Sequence, residues 1–433
     1  MKLKKIKLKN FKCFENLEME LNSQCNILVG VNGAGKSTVL DAIAVSLGAY
    51  LSGFDDMKGK AFDPEDSHYC MYQAGNRVEA QEQYPVEIYT EAEIPKGEGI
   101  EFIKWQRELN GKGRRTTHGN ARQVIDYSRL LQEEVRKGDN SAILPMVAYY
   151  GTGRLWLKKG NRRDVKKSDP LYRQRGYTDC LAAETNDKQM LQWFKEMTYI
   201  QLQEEKAIPE LETVKEAIKQ CYLGMGDSVS EANFAYDVKN SELVVELVRY
   251  GNKERIPVRM LSDGEKEMIS LVADIAYRMA VLNPDLLDGV LKTPGIVLID
   301  EVDLHLHPSW QRRIVSDLTR IFPNVQFVMT THSPSILANV HKESVWILDR
   351  YKLIKPGSGT YGRELDEILS EIMHVRVLPE EIEKLQEEFD EAIDGKDCIR
   401  AESVLDRMKE LIGENAERVI ENQIALDVEK ADI

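Results

Sequence analysis

The chain has 433 residues, enough for roughly two or three structural units with a real core. Its net charge of −14 argues against a protein that coats nucleic acid over its whole surface, and no apolar run approaches the roughly 18 residues that span a bilayer. With no such run and no signal-peptide pattern at the N-terminus, a cytoplasmic location is expected. Six scattered cysteines without a CxxC pair exclude the common zinc spacings and give no disulfide framework, so they are expected to be reduced, mostly buried thiols.

The N-terminus, "MKLKKIKLKNF", alternates Lys with Leu and Ile. That is a strand with one basic face, and it lacks the continuous apolar core of a signal peptide. Two or three strands lead through "CNILVG" into a glycine-rich loop at Gly30, and "STVLDAIAVSLGAYL" after it has helical spacing. "YPVEIYTEAEI" and "EFIKWQREL" alternate and predict an antiparallel pair; "LPMVAYYGTGR" predicts a buried strand ending in a Gly-rich turn. The following stretch, Arg154–Arg175, is strongly basic and fits either DNA or RNA contact or a solvated loop that balances acidic neighbours. From about Thr178 to Gly224 the period is helical, then "ELVVELVRY" and "IPVRM" return to strand.

Next comes "RMLSDGEKEMISL", a turn opening a long helix whose mouth favours an anion. "GIVLID" and "NVQFVMTTHSP" are apolar runs of parallel-strand character. Beyond Gly362 the chain is helical and acidic, with a turn at Asp394-Gly395 between two helices. Its stripe Ile382, Leu385, Phe389 and Ile393 packs locally or receives a partner. The expected organisation is 1–155 and 231–355 as two parts of one α/β head, 156–230 as a basic loop and helical insertion, and 356–433 as an acidic helical region.

Gly30–Ser37 reads G-V-N-G-A-G-K-S and matches the P-loop pattern between a strand and a helix. Backbone N–H groups of such a loop wrap phosphates, which makes Asn32, Gly33, Ala34, Gly35, Lys36, Ser37 and Thr38 the candidate ATP-binding residues. Lys36 is expected to reach the β- and γ-phosphates and Ser37 to ligate Mg²⁺. Asp300 closes an apolar strand and can hold the same Mg²⁺; Glu301 follows at the sheet's carboxyl edge, where it can orient or deprotonate the attacking water. His332 ends the next strand, where an imidazole can bond the γ-phosphate or that water. His305 and His307 form an H-x-H, but no Cys or third His stands close enough in sequence to complete a metal site.

Together these residues resemble the ATP-binding cassette ATPases, in the RecF/SMC/OLD-like branch. The resemblance implies a head with a mixed parallel and antiparallel sheet, a helical insertion and a helical C-terminal extension. It also implies that Leu261-Ser262-Asp263-Gly264-Glu265, in the place of the "LSGGQ" signature, closes on ATP held by a second subunit. Two ATP molecules would then be buried in a head-to-tail homodimer, with Ser262 and Gly264 acting in trans; any assembly above the dimer is left open. By the same resemblance Asp303 occupies the D-loop position, Asn32 faces the γ-phosphate, and Lys12 in "NFKCF" stands near the nucleotide. One departure is plain: "VAYYGTGR" lacks the Gln that usually completes the Mg²⁺ shell.

More finely, "LPMVAYYGTGRLW", "GYTDCL", "LIDEVDLHLHPSWQ" and "YGRELDEIL" resemble the PtuA-type ATPases of Septu and retron-associated antiphage systems. That resemblance implies an HNH-type nuclease partner and, in some systems, a retron reverse transcriptase with its DNA. The acidic tail has no strand-borne Glu and Asp-x-Asp set of a Toprim nuclease, so the chain is expected to be an ATPase that does not itself cut DNA. The alternative is a RecF-like repair or clamp ATPase that binds DNA directly through the basic segment.

Overall fold

The lysine-rich N-terminus pairs as its alternation requires. In the computed structural model, whose described residues are 1–74, 77–96, 99–153, 172–183, 187–223, 229–376 and 378–431, it forms strand β1 (Lys2–Phe11), followed by β2 (Phe14–Glu20). Leu3, Ile6, Leu8 and Phe11 of β1 point inward and are buried. The basic face is answered by glutamates on neighbouring strands: Lys7 to Glu18 at 2.8 Å, Lys4 to Glu93 at 3.1 Å and Lys9 to Glu87 at 3.4 Å. Such exposed pairs add little stability, but they cancel the positive strip.

Strand β3 (Cys25–Val29) then runs into the glycine-rich loop and helix α1 (Lys36–Leu51). Helix α1 is apolar nearly all round, which suits a helix enclosed on every side. It packs against β6 (Val86–Lys96) and β7 (Gly99–Leu109) of one sheet, and against β12 (Gly295–Ile299) and β13 (Val325–Thr331) of another. The first sheet has the antiparallel order β2-β1-β6-β7. The second has six strands in the order β15-β14-β3-β13-β12-β8, where β8 is Met146–Tyr150, β14 is Val345–Asp349 and β15 is Lys352–Ile354. All but β15 run parallel, and β3, β8, β12 and β13 are buried along their whole length. Both faces of a parallel sheet are covered, which is why these strands read as continuous apolar runs rather than alternating ones.

Several elements escaped the sequence pattern, β14 and β15 among them, and two others lie near the first sheet and α1. One is the hairpin of β4 (His68–Ala74) and β5 (Arg77–Gln83), whose second strand carries almost no apolar period. The other is helix α2 (Arg122–Arg136), which packs on α1. The helical stretch after Asp187 resolves into α3 (Asp187–Glu204) and α4 (Pro209–Leu223). A further antiparallel sheet, β11-β10-β9, precedes the long helix: β9 is Val229–Asp237, β10 Glu242–Arg249 and β11 Asn252–Pro257.

Helix α5 (Asp263–Leu282) is buried along most of its length. Inside it the Arg278 Nε donates to Asp274 Oδ2 at 2.7 Å, and the Tyr150 hydroxyl donates to the same oxygen at 2.7 Å. Arg278 also donates to the carbonyls of Gly176 and Thr178. This buried pair therefore ties α5, the end of β8 and the 172–177 turn together, and breaking one partner of such a pair typically costs about 3–5 kcal/mol.

Residues 154–171 of the predicted basic stretch, including Arg162, Arg163, Lys166 and Lys167, lie outside the described residues. At its described end, Arg173 is committed to the fold: its guanidinium donates to the Leu282 carbonyl at 2.7 Å and to Asn283 Oδ1 at 3.1 Å. All six cysteines are free thiols; burial pushes Cys25, Cys180 and Cys221 up to about 12.

The chain divides into two compact units, Met1–Leu365 and Asp366–Ile433. In the second, helices Glu380–Asp394, Cys398–Ile412 and Glu417–Ala431 enclose their own core. Ile382, Leu385 and Phe389 are buried in it with Leu405, Met408 and Leu426, and Ile393 packs at its edge. The apolar stripe of the first tail helix thus packs locally, against the third helix as well as the second.

Candidate active site

Strands β3, β8, β12 and β13 are parallel, so their carboxyl ends share one edge of the sheet. Ligands bind at such an edge in open α/β folds. Here it carries the glycine-rich loop after Val29, Asp300 and Glu301 after Ile299, and His332 after Thr331. A cavity of about 310 Å³ opens between them, lined by Lys12, Cys13, Asn32, Gly33, Gly35, Lys36, Ser37, Thr38, Asp300, Glu301 and His332. Residues 300 positions apart in sequence meet because three parallel strands end side by side.

The loop conformation depends on glycine at its last turn. Gly35 has φ +101° and precedes the first residue of α1; a Cβ there would stand 2.6 Å from the Phe14 ring and 2.8 Å from Cys13 Sγ. No L side chain satisfies both constraints. The Lys36 ammonium folds back over the loop and donates to the carbonyls of Gly30 at 2.9 Å and Val31 at 3.1 Å. Burial pulls the Lys36 pKa down, against the pull of the Asp300, Glu301 and Asp303 carboxylates. Ala34 is buried beneath the loop and does not line the cavity.

Ser37 Oγ donates to Asp300 Oδ1 at 3.0 Å, which brings a hydroxyl and a carboxylate together as a hard-oxygen pair suited to Mg²⁺. Thr330, which no sequence motif marks, organises the other side. Its hydroxyl donates to the same Asp300 oxygen at 2.6 Å and accepts from the Glu301 N–H at 2.7 Å. That second bond holds Glu301 at φ +49°, a left-handed conformation that a non-glycine residue adopts at a cost of about 1–2 kcal/mol. The only sequence signal for Thr330 is its place beside His332 in "TTHSP".

Asp303 lies just outside the cavity. Its Oδ1 accepts from Thr331 Oγ1 at 2.7 Å and from the His332 N–H at 3.4 Å, so it fixes the end of β13. His332 is half-buried, and its pKa is lowered by burial and by the Lys36 cation, with the three carboxylates opposing. A pKa below the ordinary 6.5 leaves the imidazole neutral at pH 7. ATP turnover is therefore expected to be flat around and above pH 7 and to fall only at a pH below the ordinary imidazole range, as His332 gains a proton. The check is a kcat/KM profile of the native protein and His332→Gln; an acid limb that survives the substitution assigns the proton elsewhere. His307, by contrast, caps a short helix through Ser309, with Nδ1 2.8 Å from its hydroxyl.

The signature-like turn stands apart from this cavity: neither Ser262 nor Gly264 lines it. Ser262 caps α5 in a capping box, donating from N at 2.9 Å and from Oγ at 2.7 Å to Glu265 Oε2. Tyr222 of α4 donates to the other Glu265 oxygen at 2.7 Å. A Cβ on Gly264 would meet the His305 carbonyl oxygen at 2.5 Å. Gly264→Ala is accordingly expected to cost about 1–3 kcal/mol by pushing away the segment that follows Glu301. A urea-unfolding midpoint equal to that of the native protein would show that the segment yields freely.

The glycine-rich loop, α1 and the strands around them fall within residues 5–223, which match a family model described as an AAA domain. The chain belongs to the AAA-domain family. A second AAA-domain model matches residues 193–338, which hold the signature-like turn, Asp300, Glu301 and His332. This AAA-domain chain is 26% identical over 418 residues to the "Retron Vc95 probable ATPase" of Vibrio cholerae serotype O1 biovar El Tor, covering 86% of the chain and 78% of the relative. It is 25% identical over 353 residues to "Septu protein PtuA" of Bacillus mycoides (strain KBAB4), covering 80% of the chain and 40% of that protein. Among solved structures, an SMC head bound to the C-winged helix domain of ScpA aligns at 15% identity and a TM-score of 0.48, over 82% of this chain and 97% of that one. No helix among its described residues is long and apolar enough to cross a membrane.

Proposed function

We propose that this chain binds and hydrolyses ATP as a homodimeric, ABC-type ATPase and that its turnover controls a partner nuclease in bacterial antiphage defence, in the cytoplasm. The observation that carries the ATPase part is the shared carboxylate: Asp300 accepts from both Ser37 and Thr330, and Thr330 in turn holds Glu301 at the cavity. Asn32, Gly33, Gly35, Lys36, Ser37 and Thr38 bind the phosphates, with Lys36 neutralising the β- and γ-oxygens. Ser37 and Asp300 would hold Mg²⁺, which when bound spreads the charge that develops on the phosphates. Glu301 takes the proton of the attacking water, and neutral His332 donates to the γ-phosphate or orients that water.

Ser262 and Gly264 complete the site from a second copy of the chain, and Asp303 links the two sites. Their exclusion from the chain's own cavity supports this reading. In it, 1–155 and 231–355 form the head, 156–230 the insertion and 356–433 the acidic helical region that meets the nuclease. Relatives named for retron and Septu systems support the defence setting.

The test is recovery of tagged Glu301→Gln protein from its native host in Mg-ATP. An HNH-type nuclease in stoichiometric amount, lost when residues 366–433 are deleted, is the expected result. Duplex DNA with repair factors and no nuclease would instead make this a RecF-like clamp ATPase. Size-exclusion light scattering with and without ATP reads the dimer separately.

A further inference from the structure

One wall of the cavity holds a charge arrangement that the phosphate chemistry does not explain. Lys12 and Cys13 stand there beside Thr38. The Lys12 ammonium donates to Asp41 Oδ2 at 2.7 Å and lies 3.5 Å from Asp66 Oδ1. Asp41 sits on α1, one turn beyond the glycine-rich loop. Its other oxygen accepts from Lys60 Nζ at 2.9 Å, and that ammonium lies 5.0 Å from the centre of the Tyr149 ring at the end of β8. Burial works against the Asp41 charge, yet the Lys60 and Lys12 ammonium groups hold its carboxyl below the usual carboxylate range. The Lys12 backbone is fixed as well, at φ +49°, by its N–H donating to the Asp66 carbonyl at 2.8 Å and by His68 Nδ1 2.7 Å from its own carbonyl oxygen.

A carboxylate in the first turns of a phosphate-binding helix should repel the anion that helix attracts. If Lys12 needed only a counter-ion, Asp66 already offers one. Asp41 does something Asp66 cannot, because it pulls the ammonium towards α1 and the cavity wall. In the ATP reading above, Asp300, Glu301 and His332 serve the γ-phosphate and Lys36 the β- and γ-phosphates, which leaves Lys12, Cys13 and Thr38 of the same lining for the rest of the nucleotide.

We infer that Asp41 is a positioning residue for nucleotide binding, holding the Lys12 ammonium where it meets the α-phosphate and nucleoside end of ATP. This rests on the ATP-binding reading above. Lys60, clamped between Asp41 and Tyr149, fixes the carboxylate from its far side.

Two expectations of opposite sign separate this inference from simple electrostatics. Removing a negative charge beside a phosphate site should tighten binding; removing a positioning residue should weaken it. The experiment measures Kd for Mg-ATP and Mg-ADP by calorimetry in the native protein, Asp41→Asn, Asp41→Glu, Lys12→Met and the Lys12→Met/Asp41→Asn double variant. Asp41→Asn is expected to weaken ATP and ADP alike by about tenfold, because the α-phosphate is common to both. The loss should appear in KM rather than kcat, Asp41→Glu should restore most of it, and the double variant should be no weaker than Lys12→Met alone. Unchanged or tighter binding by Asp41→Asn, a loss confined to ATP, or additive single losses each overturn the inference. Should Asp41→Asn fail to fold, Lys12→Met against Lys12→Arg makes the same comparison, since only Arg can keep the Asp41 contact; equal losses overturn it. Failure of the native protein to bind ATP would reject the ATP reading itself, whereas native binding with an indifferent Asp41→Asn rejects only this inference.

Discussion

Lys36→Ala is expected to weaken ATP binding by about 100-fold or more and to leave no measurable turnover. The ammonium is buried among the loop carbonyls of Gly30 and Val31 and close to three carboxylates. A bound triphosphate gives this desolvated cation its strongest partner, and truncating one member of a buried, hydrogen-bonded charge pair costs about 2–5 kcal/mol. The substitution also removes the donor that the Gly30 and Val31 carbonyls share, so a modest loss of stability should accompany it. Calorimetric titration with Mg-ATP, beside a thermal melt to confirm folding, measures both. Affinity within threefold of native in a folded Lys36→Ala protein would show that the cavity does not hold phosphates in the way argued above.

Glu301→Gln should separate binding from chemistry. The carboxamide keeps the shape and the backbone bond to Thr330, so ATP is expected to bind with affinity near that of the native protein. It cannot accept the proton of the attacking water, and loss of a general base typically costs about 10²–10⁴-fold. Single-turnover phosphate release should therefore slow by at least about 100-fold while nucleotide stays bound. A native rate would assign the base to another group facing the cavity, with His332 next to be tested.

Local chemistry made much of this protein readable. The run "CNILVGVNGAGKST" writes out a buried strand, a turn that only glycine can make at Gly35, and the start of a helix, each with its own period. "GIVLIDE" and "FVMTTHSP" likewise announce buried parallel strands with polar ends. The rule that ligands gather at the carboxyl edge then joins Lys36, Asp300, Glu301 and His332 from the sequence alone. In the acidic tail, Ile382, Leu385 and Phe389 at helical spacing mark the buried face of their helix.

The elements that stayed hidden are those whose periods are weak or whose partners are distant. Strand β5 reads as polar sequence because most of it is exposed, so its pairing with β4 leaves no alternation to find. The basic face of β1 is legible in sequence, but that neighbouring strands set Glu18, Glu87 and Glu93 against it is not. Thr330 carries no motif, and its role appears only where β12 ends beside β13 and its hydroxyl reaches Asp300 and the Glu301 N–H. Asp41 is equally silent, the one acidic residue of α1.

What the sequence determined by itself is therefore the identity and order of the chemical groups, because loop, strand and helix signals act over a few residues. What the tertiary structure decided is which of those groups share charge: Asp300 between Ser37 and Thr330, Asp41 between Lys12 and Lys60. Coulomb and hydrogen-bond energies depend on distances of a few ångströms, and only the folded sheet brings residues 12, 41, 60 and 300 that close to their partners.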